Sequence, residues 1–418
     1  MLIYNFGFFS RIAIKIYKKG NVTMETEKLG KNAKALMICE IINSVIDLFL
    51  STFLVAYLLN ITNENISYVA IYYIIDYAIT AISMYILGFF LKKYNIANIY
   101  RIGIFLKCVF VIIIVFLKQN IQNYIVPIAF ILGISETAYW GPCDNLVGYV
   151  TNNKNRTKYT ANKKIIRSIV KIVMPLILGT SIELLSFYKV SGFVMILAVI
   201  QVIISLQIKI KNESKEKFNL TGFLKNIKNN QKNERLKIIY KAAVLYGVLL
   251  NIIPTLITII IIMTFKTNFQ LGVLNTIFSI CSMLSVYLFK KYYNKKNIKK
   301  ILITCGLLSV ISVVSLLINI GKIELILYNF VSSIFIIILE VIFNIERFNN
   351  IDNGIEEKYI IENQTFINII MQAGRIIGYS LLFIASILDN IIYFKCILLL
   401  STICIPVYSI YMYQLQKK

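Results

Sequence analysis

Apolar runs long enough to cross a bilayer recur along this chain, separated by short polar stretches. They fall at roughly 36–60, 67–91, 99–118, 124–147, 161–185, 187–207, 239–264, 269–289, 298–318, 322–345, 360–385 and 390–413. A bilayer core about 30 Å thick is crossed by about 20 apolar helical residues, so each run predicts one transmembrane helix. Two joins are tight, at Gly321-Lys322 and near Ser186 to Lys189. The widest polar stretch, 208–238, divides the runs into two sets of six. The predicted fold class is therefore an all-α membrane protein: twelve transmembrane helices in two pseudo-symmetric six-helix bundles. The segments are 1–35, a 36–207 half, a 208–238 linker, a 239–413 half and a 414–418 tail.

Loop charge alternates with the runs. Lys28, Lys31 and Lys34 precede span 1; Lys92, Lys93 and Arg101 follow span 2; Lys154, Arg156 and Lys158 follow span 4. The linker is basic throughout, and lysines crowd the segment from Lys290 to Lys300 after span 8. The intervening loops offer little more than Lys118, Lys189, Lys266 and Lys322. Lysine and arginine are retained in the cytoplasm, so both termini are expected there. Within the linker, Phe218 to Ile227 reads either as a solvated tether or as a short amphipathic helix on the anionic inner leaflet.

Composition fits a membrane chain: 58% of the 418 residues are hydrophobic and 15% charged. The net charge of +24 is split among short loops, which argues against a nucleic-acid partner. The seven cysteines lie mostly in apolar runs without CxxC spacing and read as small fillers. There is no histidine. That removes His-based proton relays, Ser-His dyads and HExxH zinc sites. No nucleophile elbow or phosphate-binding loop occurs either, so no enzyme, cofactor or metal site is expected.

Ionisable residues inside spans mark a bundle interior or an aqueous path. In span 1, Glu40, Asn43, Ser44, Asp47 and Ser51 make one polar stripe, which suits a helix facing a cavity; alternatively Glu40 sits at the interface and Asp47 alone is buried. Span 2 carries Asp76 and span 3 Lys107. Span 4 has Glu136 followed by Tyr139, Trp140, Pro142 and Asp144. Span 5 has Lys164, Arg167 and Lys171, span 7 Asn251 and Pro254, span 10 Glu340 and span 11 Arg375.

The pattern repeats between halves. Leu91-Lys92-Lys93-Tyr94 returns about half a chain later as Phe289-Lys290-Lys291-Tyr292. The fourth span of each half carries an acid, Glu136 or Glu340, and the fifth a cation, Lys171 or Arg375. Lys158-Tyr159 and Lys358-Tyr359 sit just before those fifth spans, with Asn162 and Asn363 following. Glu136–Lys171 and Glu340–Arg375 are the expected pairs, either purely structural or part of transport. Asp47 and Asp76 have no obvious partner, which suits groups that take up and release a proton.

Over roughly 36–413 the chain resembles the major facilitator superfamily. The family's span 2–3 loop reads G-x-x-x-D-R-x-G-R-R. Here Gly88 and Lys93 match, while Lys92 stands where an aspartate is usual, against the family's charge latch between halves. Thr151 to Tyr159, with Arg156, looks like the basic loop before span 5. Pro175 and Gly179 match part of the span 5 pattern of antiporters, with Met174 and Leu178 in two of its glycine places. The resemblance implies two bundles rocking about a central site lined by spans 1, 4, 7 and 10.

On those helices lie Glu40, Asn43, Asp47, Glu136, Tyr139, Trp140, Asn251 and Glu340, joined by Asp76 from span 2. Acids with aromatic faces suit a cationic or amphipathic organic substrate. The expectation is a proton-coupled efflux transporter, a monomer in a bacterial plasma membrane whose partners are lipid, a small-molecule substrate and protons. Rivals are an importer of a small metabolite, drawn to Lys107, Lys164, Arg167 and Lys171, and a non-transporting sensor or scaffold. The Lys/Asn/Ile skew points to an AT-rich bacterial genome. Residues 1–23 read either as a segment preceding a true start at Met24 or as a surface amphipathic helix.

Overall fold

The computed structural model describes residues 28–151, 155–210, 217–229, 234–292, 297–318, 321–388 and 391–417. The two readings of the first 23 residues lie outside this set. So do the side chains of Asn251, Lys290 and Lys291.

Among the described residues, eleven helical stretches are long and apolar enough to cross a membrane. One of them, Ile96–Val150, runs for 55 residues. At 1.5 Å per residue that is about 80 Å, far more than one crossing. It is two helices joined by a 3-10 turn at Lys118–Tyr124. Counted so, the spans are the twelve expected: α1 (Lys31–Ile61), α2 (Ile66–Lys93), α3 (Ile96–Leu117), α4 (Ile125–Val150), α5 (Arg156–Leu185), α6 (Phe187–Ser205), α7 (Glu234–Phe265), α8 (Asn268–Tyr292), α9 (Ile298–Ile318), α10 (Lys322–Gly354), α11 (Ile360–Ile387) and α12 (Ile391–Lys417). The end of α2 with Lys92 and Lys93, the start of α11 with Lys358 before it, and the described part of the linker meet at one end of the bundle, called here the basic face.

Local sequence sets the helix ends. Asn65 caps α2 by accepting the Ser67 amide at 3.0 Å, and Lys92 and Lys93 fill its last turn, where the helix dipole favours cations. Asn95 caps α3 through the Ala97 amide at 2.9 Å. Its side-chain amide also donates to the Ile210 carbonyl at 2.6 Å, pinning the start of the linker. Large apolar side chains such as Ile82, Phe105, Leu184 and Ile311 stay exposed on the outside and form the lipid-facing belt. Inside α1, residues Phe49–Leu54 widen into a π-helical turn. Such turns commonly accompany functional sites.

The halves meet along two seams. On one, α2 packs against α11, with Tyr73 and Tyr77 at 4.6 and 5.5 Å from the Tyr379 ring. On the other, α5 packs against α8 so closely that a Cβ at Gly179 or Gly272 would collide with the carbonyl oxygen of Asn268 or Pro175. Away from the basic face, Lys266 pairs with Glu64 and the Asn268 amide donates to Glu183 at 3.2 Å.

At the basic face the expectation about Lys92 needs correcting. Lysine here does not abolish a charge contact between halves but reverses its polarity. Lys92 Nζ lies 2.7 Å from Glu362 Oε1 on α11 and 2.8 Å from the Lys358 carbonyl. The linker also departs from both readings. Residues Leu220–Asn229 form a helix, but its apolar side packs on protein rather than on lipid headgroups. Phe218 covers Gly88 and stacks edge-on to Phe89 at 4.8 Å, and Phe223 lies 5.6 Å from Tyr359. The Asn219 amide donates to Glu362 Oε1 at 3.0 Å, so the linker joins the α2–α11 contact. Lys93 turns away and sits 5.3 Å over the Tyr94 ring.

Candidate functional site

The most concentrated charge in the membrane surrounds Lys107. This α3 side chain is fully buried. Its ammonium lies 2.6 Å from Asp47 Oδ1, 2.6 Å from Glu136 Oε1 and 3.0 Å from Asn43 Oδ1. Asn43 in turn donates to Asp47 Oδ2 at 2.6 Å. The Tyr139 ring stands 5.0 Å from the ammonium, close enough for a cation–π contact. Three ammonium protons meet three acceptors, so the cluster locks α1, α3 and α4 together.

Three expectations change here. Asp47 is not unpartnered, and Glu136 pairs with Lys107 rather than Lys171. Glu340–Arg375 does not form either among the described residues. Arg375 donates to Gln372 at 3.0 Å and lies 5.0 Å from the Tyr77 ring of the other half. The fifth-span cations have in effect crossed over. Arg375 shares a cavity with Asp47, Asp76 and Glu136 of the first half, while Lys171 shares one with Glu340 of the second. The sequence repeat paired each cation with the acid of its own half, but the fifth helices lie on the seams between halves.

Glu40 also leaves the expected cavity stripe. It is buried on the α4–α5 side, accepting from Tyr159 at 2.6 Å and Cys143 at 3.2 Å, and it pairs with Lys163. Ser44 donates to the Glu40 carbonyl at 2.8 Å. Only Asp47 and Ser51 of the stripe reach the cavity. Tyr139 is buried behind it, whereas Trp140 lines it and carries Arg167 at 5.6 Å from its ring.

The cavity between halves has a volume of about 390 Å³. Asp76 lies in its wall, 4% exposed, and its Oδ1 finds no hydrogen-bond partner among the described residues. Facing it are Arg347 and Arg375, whose Nε atoms also lack partners there. Tyr72, Tyr73 and Tyr77 complete the aromatic side. A second space of about 450 Å³ shares Ser51, Tyr73 and Tyr77 with the first and extends toward Pro254, Glu340 and Lys171. A third, about 870 Å³, shares Lys171 and Glu340 with the second and runs along α5, α8 and α10. Together they make a chain of spaces from the centre outward.

The sequence reading missed Arg347 and the α2 tyrosines. Arg347 follows Glu340 by two helical turns, so the periodicity that placed Glu340 inside could have found it. Tyr72 and Tyr73 precede Asp76 by one helical turn and carried the same signal.

The family model described as Major Facilitator Superfamily matches residues 36–379. The chain belongs to that superfamily. A bacterial homologue of the iron transporter ferroportin, in an inward-facing state, superposes with TM-score 0.70 at 11% identity, covering 94% of this chain and 100% of that one. The nucleoside transporter NupG gives TM-score 0.67 at 14% identity, covering 93% and 99%. A bacterial metal transporter gives 0.64 at 13% identity, covering 94% and 100%. No curated protein matches by sequence. At these identities the likeness shows the fold alone, and it is the family match that makes the chain a multi-pass major facilitator transporter. Among the described residues no group of His, Cys, Asp and Glu is arranged to hold a metal ion.

Proposed function

We propose that the protein is a proton-coupled secondary transporter of a small amphipathic organic solute, working by alternating access with Asp76 as the proton-carrying group. The observation that carries this is the Asp76 carboxyl, buried in the central cavity wall with one oxygen unpartnered. Asp47 and Glu136, the other cavity acids, are committed to Lys107. Removing a proton from a buried carboxyl and returning it is feasible only if the group reaches water in turn, which rocking of the halves provides. The cavity volume falls in the usual range for small-molecule sites, about 300–1,000 Å³.

The sequence pointed to efflux of a cationic or amphipathic compound. The aromatic wall supports the amphipathic half of that reading. Arg347 and Arg375 oppose Asp76 and weigh against a purely cationic substrate, so a solute carrying an anionic group beside an apolar body suits the cavity better. Efflux, as a monomer in a bacterial plasma membrane with the basic face in the cytoplasm, remains part of the proposal.

The test begins with a thermal-shift screen of the purified protein against organic cations, anions, zwitterions, sugars and nucleosides. The best stabiliser is then followed in proteoliposomes under an imposed proton gradient. Asp76→Asn should abolish gradient-driven accumulation and retain counterflow exchange. Accumulation by Asp76→Asn equal to wild type would refute the assignment, and opposite gradients distinguish extrusion from uptake.

A further inference from the structure

The space along α5, α8 and α10 has a chemical asymmetry that the central cavity lacks. Near Pro175, Gly179 and Gly272 the α5 and α8 backbones touch. Toward the basic face the two helices part, and residues 164–171 of α5 look across about 870 Å³ at residues 279–286 of α8 and at α10. Lys164, Arg167 and Lys171 are spaced to share one face of α5. Lys164 and Lys171 are exposed into this space, while Lys163 is already committed to Glu40. The opposing wall carries Met283, Val286 and Val341 beside Ser279, Ser282 and Asn344. Glu340 is the lone carboxylate among the lining residues.

Lys171 decides how this space is filled. It lies midway along α5, where an ammonium facing hydrocarbon would be costly. The space beside it therefore holds water or an anion. Cations on α5 opposite an apolar patch at Met283, Val286 and Val341 match a ligand with a charged head and an apolar chain.

We propose that the α5–α8–α10 space is a binding site for an anionic amphiphile, its phosphate or carboxylate head on Lys164 and Lys171 and its chain against Met283, Val286 and Val341. Arg167 stands between the two lysines but is held over Trp140, and so contributes field more than contact. The site goes beyond the transport reading, because it concerns equilibrium binding and stands whether or not the ligand is carried. The same chemistry is offered by a phospholipid of the bilayer and by a dissolved acyl or alkyl anion.

Binding is measured on the purified full chain in nanodiscs by calorimetric titration with hexyl phosphate, inorganic phosphate and hexyltrimethylammonium. Hexyl phosphate should bind at least tenfold more tightly than either control. Lys164→Gln with Lys171→Gln should weaken it at least tenfold, and Lys164→Arg with Lys171→Arg should preserve it. Both lysines are exposed, so the thermal midpoint should hold, and Val341→Ser gives an independent variant that weakens hexyl phosphate without touching charge. Equal binding of hexyltrimethylammonium, or wild-type affinity in the double glutamine variant, would overturn the proposal. Native mass spectrometry from mixed phosphatidylglycerol and phosphatidylcholine bilayers separates the sources. Phosphatidylglycerol retained by wild type and lost in the glutamine variant identifies the bilayer. Hexyl phosphate binding with no retained lipid identifies a dissolved anion.

Discussion

Replacing Lys92 by alanine removes the charge that holds α2 to α11 at the basic face. The Lys92 and Glu362 side chains are 5% and 0% exposed, and their charged atoms are 2.7 Å apart. Taking one partner from such a pair leaves an uncompensated buried charge and costs about 3–5 kcal/mol. When the halves rock apart at this face, Glu362 regains water, so the cost falls on the closed arrangement alone. At 1.4 kcal/mol per tenfold, the closed-to-open ratio should fall by roughly two to three and a half powers of ten. The assay is a spin-label distance between Tyr94 and Lys358 in a background without native cysteines, chosen because these positions flank the contact. Wild type should give a short-distance population, and Lys92→Ala a dominant longer one. Exchanging the charges, Lys92→Glu with Glu362→Lys, should recover most of the short population. Recovery should be incomplete, because the Asn219 amide then loses the carboxylate it donates to at 3.0 Å. An unchanged distance in Lys92→Ala, or a swapped double variant no better than either single one, would refute the reasoning.

Other expectations follow from the buried contacts. Lys107→Met leaves Asp47 and Glu136 without their cation and should lower stability by up to about 3–5 kcal/mol, less to the extent that both carboxylates border the cavity, read as a fall in thermal midpoint. Adding Asp47→Leu and Glu136→Leu should restore most of that loss, because an apolar replacement of the whole cluster leaves no buried charge. Gly272→Ala places a methyl group against the Pro175 carbonyl, and overpacking of this kind costs about 1–3 kcal/mol. It should widen the α5–α8 separation away from the basic face, measurable by spin labels at Glu183 and Asn268.

Part of this molecule follows from local sequence. The length of each apolar run, set against bilayer thickness, determined the helices. Where one stretch is helical for 55 residues, the polar positions from Lys118 to Tyr124 still marked the turn between two spans. The alternation of loop lysines marked one basic end for the same reason: charge that cannot enter hydrocarbon must gather at the helix ends. The repeated acids and cations of the two halves, Glu136 with Glu340 and Lys171 with Arg375, were legible as a pattern.

Which charges meet was not legible. Helical periodicity tells which face of one helix a residue occupies, but not which neighbour that face is turned toward. Lys107 became the centre of the α1–α4 cluster because α3 packs behind them, and Glu40 turned to Tyr159 and Lys163 because α1 contacts α5 near the basic face. Arg375 and Lys171 crossed to the opposite halves because their helices form the seams. Sequence by itself therefore determined the twelve spans and the basic end, since both depend only on what each segment does in a bilayer. The tertiary structure decided the partners of Lys92 and Lys107 and the spaces that Lys171 and Arg375 face, since both depend on which distant helices pack beside each charge.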